Sequence, residues 1–115
     1  MSANFGEKLT KYVALVQKLH DEKFARDYKN LTAPLIDISV GKKYVKLVRI
    51  DDGGEGSSSV HSFVSAVDNP KKGEKVGDIL KPATYSAPAK HPRGSIFVDN
   101  GRGALTESGF VKYLG

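Results

Sequence analysis

At Pro34 the hydrophobic period of this chain changes from about 3.6 to 2. No other feature constrains the fold as much. Before it, Phe5, Leu9, Tyr12, Val13, Val16 and Leu19 fall on one stripe of a helix, and Lys8, Lys11 and Lys18 fall mostly on the other side. Ser2 or Asn4 is a candidate N-cap, and Glu7 follows Asn4 at capping-box spacing. Phe24, Tyr28 and Leu31 carry the helical spacing to about residue 30. His20-Asp21 marks either a continuation or the corner of a helical hairpin. Thr32-Ala33-Pro34 ends the helical region, because proline pushes the residue before it out of the α conformation.

After Pro34 the chain reads as strands. Residues 35–40 alternate and are rich in β-branched side chains, and residues 44–50 do the same across a Gly41-Lys42 turn, which predicts a hairpin. The glycine-rich stretch 51–58 reads as a loop without regular structure. Strands are predicted over 60–67, 76–81 and 95–98. Turn chemistry separates them at 68–73, and three prolines fall between 82 and 92. A run of helix followed by a run of strands with short connections indicates an α+β domain with an antiparallel meander. The expectation is an N-terminal helix, or helical hairpin, packed on a four- to five-stranded antiparallel sheet. One version closes that sheet into a small barrel. Residues 1–115 read as a single domain: 1–30 helical, 35–98 antiparallel strands with a Pro-rich basic loop at 81–95, and an apolar-bearing tail at 104–115. Phe110, Val111, Tyr113 and Leu114 give that tail enough apolar area to dock on the core.

Composition narrows the chemistry. The 115 residues hold no cysteine, which excludes disulfides, thiolate metal sites and a cysteine nucleophile. No apolar run approaches the length of a membrane span, and the first residues lack a secretion signal, so a soluble intracellular domain is expected. His20, His61 and His91 do not pair at metal-ligand spacing, and the acidic loop 51–55 lacks the alternating ligands of a calcium site. Neither a metal nor any other cofactor is expected. Ser57-Ser58-Ser59 lacks a nucleophile elbow, and Asp52-Gly53-Gly54-Glu55-Gly56 opens no helix and so fails as a phosphate loop. An enzyme would need His61 or His91 near a carboxylate such as Asp78 or Asp99. Strict alternation in the third strand puts Ser59, His61, Phe63 and Ser65 on one face, with Phe63 in the core and His61 half-buried.

The charge points elsewhere. The chain carries +5, and residues 81–115 hold five basic side chains against two acidic ones. Residues 31–80 balance. A basic surface attracts polyanions. The stretch 81–97 combines three prolines with Lys81, Lys90, Arg93 and His91, and has no acid. Prolines lower the entropy cost of holding such a loop in one shape. Lys81, Lys90, Arg93 and Arg102 are the candidate phosphate contacts. Tyr85 is the candidate stacking surface, and His91 an auxiliary donor. The alternative for this loop is a proline-stiffened strap with its lysines extended into water.

Four blocks in order carry a resemblance: Tyr44-Val45-Lys46-Leu47-Val48-Arg49, Ser59-Val60-His61-Ser62-Phe63-Val64, Gly77-Asp78-Ile79-Leu80-Lys81-Pro82-Ala83, and the run from Ala87 to Phe97. This pattern resembles a family of small uncharacterised proteins of tailed bacteriophages, over roughly residues 35–99. The sequence departs from that family at Thr84-Tyr85, where a Ser-Trp pair is usual, and at Pro92 and Ser95, where Ala and Asn are common. The resemblance brings no activity or catalytic residue. It implies a phage origin, with the bacterial cytoplasm or the virion as the setting. The leading expectation is therefore a non-enzymatic module that binds DNA or RNA and has no membrane role. The alternative is an interaction or minor virion protein whose partner is a host protein, a phage protein or a second copy of the chain. A hydrolytic enzyme using His61 or His91 is the third reading.

Overall fold

A computed structural model describes residues 4–112. Ser2, Tyr113 and Leu114, named above as cap and tail residues, lie outside the described residues. Helix α1 (Phe5–Asp27) runs unbroken through His20-Asp21, so the helical hairpin does not form. Its buried residues are Phe5, Leu9, Tyr12, Val16, Leu19 and His20, the stripe set by the 3.6 period. Asn4 occupies the N-cap without a side-chain cap bond, and its carbonyl accepts the Lys8 N–H at 2.9 Å. The helix ends at Tyr28, whose N–H donates to Phe24 O. Gln17 then fastens the next segment. Its amide nitrogen donates to Pro34 O at 2.8 Å, and its oxygen accepts the Ile36 N–H at 2.8 Å.

The strands are β1 (Leu35–Val40), β2 (Tyr44–Ile50), β3 (Ser58–Ser65), β4 (Asp78–Leu80) and β5 (Gly94–Ser95). They pair antiparallel in chain order, as a meander. The sheet stays open and does not close into a barrel. β4 and β5 contribute three and two residues, too short a ladder to carry the sheet round to β1. Both are shorter than expected. Gly77 turns the chain before β4 at φ 91°, and Val98 enters a 3-10 turn (Asp99–Ala104) instead of extending β5. The loop after β2 is also more ordered than expected. Asp51–Gly54 makes one tight helical turn, with Asp52 and Gly53 in the left-handed region and the Gly56 N–H on Asp51 O.

The core lies between α1 and one face of the sheet. Tyr12, Val16, Leu47, Val64, Ile79, Ile96 and Leu105 are its fully covered centre. Burial of a Val, Leu or Ile side chain contributes about 1.5–3 kcal/mol. The segment after the 3-10 turn folds back as Leu105 bridges Val111, and Val111 is buried. The docking expected of the tail is therefore present up to Val111. Phe110 remains 43% exposed. No helix among the described residues is long and apolar enough to cross a membrane.

One irregularity decides where β3 points its side chains. Leu47 pairs with Ser62, but Val48 pairs with Val60, so His61 is an extra residue in the ladder. A bulge of this kind re-aims a side chain and flips the alternation beyond it. His61 therefore meets His20 of α1, with ring centroids 5.8 Å apart. Phe63 lies instead beside Tyr44 and Lys46 of β2 on the opposite face. The shared face predicted for His61 and Phe63 is thus incorrect, because strict alternation cannot register a bulge. Phe63 is buried, as expected.

Candidate nucleic-acid interface

The proline-rich stretch folds into a compact loop. Pro82 bridges Pro88, the Ala83 and Thr84 N–H groups donate to Ala87 O, and Thr84 Oγ1 accepts from Ser86 and Ala87. Ala89 N–H closes the neck on Lys81 O at 2.7 Å. This arrangement lays Tyr85 over the sheet, with its ring centroid 4.2 Å from Lys46 Nζ. Lys46 also sits 5.8 Å from the Phe63 ring. The Tyr85 ring that could stack on a base thus already stacks on an ammonium, and remains 57% exposed.

The basic residues of the loop do not form one row. Lys81 Nζ donates to Val111 O at 3.2 Å and ties down the C-terminal segment. Arg93 donates through Nη1 to Lys90 O at 3.1 Å and to His91 O, clipping the loop backbone. Arg102 donates to Leu105 O at 2.8 Å and lies beside Lys11 and Lys18 of α1. Lys90 and His91 are exposed, and they share a cleft of about 380 Å³ with Lys71 and Lys72. His91 holds φ 69°, a left-handed conformation that costs a non-glycine residue about 1–3 kcal/mol.

Lys71 and Lys72 reach the cleft through a reverse turn. Asn69 and Glu74 bridge each other, Pro70–Lys72 forms a 3-10 turn, and Gly73 takes φ 68°. Proline at the first position pre-sets that turn. The acid lining the cleft, Glu74, is buried and accepts the Tyr44 hydroxyl at 2.7 Å. Desolvation, then the bond and charge of Glu74, push the Tyr44 phenol up to about 12. The Lys71-Lys72 pair is adjacent in sequence and was legible as a charge doublet. Its meeting with Lys90 was not, because the two turns are separated by β4 and the Pro82–Pro88 loop.

A second polar cluster lies under α1. His61 Nε2 is 2.6 Å from Gly109 O, so that nitrogen donates and Nδ1 accepts. Ser62 Oγ then donates to Nδ1 at 2.8 Å, and Tyr12 donates its hydroxyl to Ser62 Oγ at 3.0 Å. Tyr12 and Ser62 are wholly buried. Desolvation raises the Tyr12 phenol far above its ordinary range. Desolvation also lowers His61 to about 4, against the Gly109 bond and helped by the charges of His20, Lys81 and Arg49. The enzyme reading needs His61 or His91 near a carboxylate; both ring nitrogens of His61 are engaged by Ser62 and Gly109. Asp78 accepts the Lys75 N–H at 2.9 Å, and burial raises its carboxyl. Among the described residues, no three His, Cys, Asp or Glu side chains group as metal ligands.

Fold and cleft together define a small α+β protein, one helix on an open five-stranded meander, with a lysine cleft at the sheet end. The chain belongs to a family of unknown function (DUF7717), whose model matches residues 3–114. No curated protein and no solved structure matches it.

Proposed function

We propose that this protein is a non-enzymatic module that binds nucleic acid by its phosphates, encoded by a tailed bacteriophage and acting in the bacterial cytoplasm or the virion. One observation carries the reading: Lys71, Lys72, Lys90 and His91 converge on one cleft whose acid is held by Tyr44. Grouped cations with no exposed acid between them suit a phosphate backbone. Arg93 fixes the loop that bears Lys90 and His91. Tyr85 and Lys46 lie on the same loop-covered face as a stacking surface.

The test is fluorescence anisotropy with labelled single-stranded and duplex DNA and RNA at about 50 and 200 mM salt. Three lysines neutralising three phosphates give log affinity a slope near −2.7 against log salt on duplex DNA, roughly a 40-fold fall across that range. Lys71→Ala and Lys90→Ala each reduce the slope by about one. Absence of binding at low salt retires the reading.

The second reading is self-association through β1. Among the described residues no strand pairs with its outer edge, where Gln17 and Asp37 hold the Ile36 and Ile38 N–H groups, and Leu35, Ile38 and Val40 are exposed. Such an edge is a template for another strand. Sedimentation at low and high salt tests it: a dimer through this edge persists at high salt and is lost in Ile38→Lys.

A further inference from the structure

Three buried side-chain nitrogens lack a protein partner among the described residues, and two of them, His20 Nε2 and Arg49 Nε, belong to residues lining one cavity of about 200 Å³. The bulge in β3 accompanies this arrangement. It shifts the register at Leu47/Val48, and Arg49 lies over Phe110 at 5.5 Å, beside the two histidines. The hydrogen bonding of His20 fixes what its orphan nitrogen offers. Nδ1 lies 2.9 Å from Val16 O, and a carbonyl only accepts, so Nδ1 carries the proton and Nε2 presents a lone pair. His20 is 1% exposed, and desolvation lowers its pKa, which keeps the ring neutral. Arg49 reaches Asp51 only at 3.6 Å through Nη2. Its Nε–H has no acceptor.

His20 and Arg49 thus line the cavity, each with a buried nitrogen that lacks a protein partner among the described residues, one an acceptor and one a cationic donor, and Lys23 and Ser108 complete the polar lining. Its walls are rings: Phe24 and Tyr28, 5.0 Å apart, and Phe110, 5.1 Å from the His20 ring. Leu31 stands with them, 60% exposed. A simple carboxylate would satisfy Arg49 and leave Nε2 without a donor. A flat ring carrying N–H groups beside carbonyl or ring-nitrogen acceptors satisfies both, and the rings supply stacking faces. The cavity opens to solvent at its Leu31 edge, so a flat heterocycle can enter without crossing the core.

We propose that this cavity binds a single nucleobase, stacked on the Phe24, Tyr28 and Phe110 rings, donating to His20 Nε2 and accepting from Arg49. The site is separate from the lysine cleft and does not depend on it. The base could belong to a free nucleotide or to a single strand, and the chemistry is shared.

Leu31→Trp supplies the chain's sole tryptophan at the exposed edge of the cavity and serves as reporter. It is titrated with guanosine, adenosine and cytidine monophosphates, with a short single-stranded DNA, and with ribose 5-phosphate. The expected result is saturable quenching by at least one nucleotide and none by ribose phosphate. In the same background Arg49→Met weakens binding about tenfold or more, the scale of a lost charged hydrogen bond, and Phe110→Ala weakens it about fivefold or more, the scale of a lost stacking partner. Lys71→Ala/Lys90→Ala leaves mononucleotide binding within about twofold, which separates this site from the cleft. Stronger binding of the oligonucleotide than of every mononucleotide assigns the base to a strand, and equal binding assigns it to a free nucleotide. In the unmutated protein, the His20 Nε2 nitrogen resonance moves toward hydrogen-bonded values when the nucleotide is added. No saturable quenching up to about 5 mM, equal quenching by ribose phosphate, or an unmoved His20 resonance overturns the proposal.

Discussion

Stability should fall as pH drops from about 6.5 to 4, and His61 should be the main cause. Its side chain is folded neutral, with a pKa lowered to about 4 by burial. In the unfolded chain it titrates near 6.5. Between those values the unfolded state binds a proton that the folded state refuses. Stability is therefore complete above pH 6.5 and is lost as pH falls toward 4, at about 1.4 kcal/mol per pH unit. The whole window is worth roughly 3 kcal/mol, a large share of the 5–15 kcal/mol typical of a domain. His20, also lowered by burial, acts in the same direction. Asp78, whose carboxyl is raised, acts in the opposite one and offsets part of the loss below its folded pKa. The assay is urea unfolding at half-unit steps from pH 7.5 to 4, for the wild type and His61→Gln. Glutamine keeps an N–H donor for Gly109 O and does not titrate. The variant should be less stable at pH 7.5 and should lose close to one proton's worth of slope below pH 6.5. An identical slope in both proteins, or an NMR titration of His61 centred near 6.5, would refute the reasoning.

Tyr12→Phe should cost about 1 kcal/mol in the same urea assay, because Ser62 loses a donor but keeps its bond to His61. Gly109→Ala should destabilise by about 1–3 kcal/mol: Gly109 has φ 85°, and a Cβ there would lie 2.8 Å from His20 Nδ1. Ile79→Ala should cost about 2–5 kcal/mol, since Ile79 on β4 is fully covered in the hydrophobic core. His91→Gly should raise the urea midpoint at an unchanged slope by relieving the left-handed backbone, and a lower midpoint would show that the loop holds no such strain.

Pro34 and the change of period around it determined the architecture without help from tertiary contacts. The helix stripe from Phe5 to Leu19 and the alternation of residues 35–50 are local patterns, and local patterns survive into the fold because one buried face enforces each. The meander follows from short connections, which permit only antiparallel neighbours. The same reading misjudged the ends of β4 and β5, where Gly77 and the 3-10 turn at Asp99 override propensity. It also separated residues that the fold joins. Lys71-Lys72 and Lys90-His91 lie in different turns, and only packing of the Pro82–Pro88 loop against the sheet makes them one cleft. His20 and His61 read as isolated histidines. One extra residue in β3 turned His61 toward α1, and Gly109, with no Cβ, allowed the C-terminal segment close enough to bond it. Sequence period specifies which face of an element is buried. Which distant side chains meet there depends on register, and register is settled only when the whole sheet and the helix pack together.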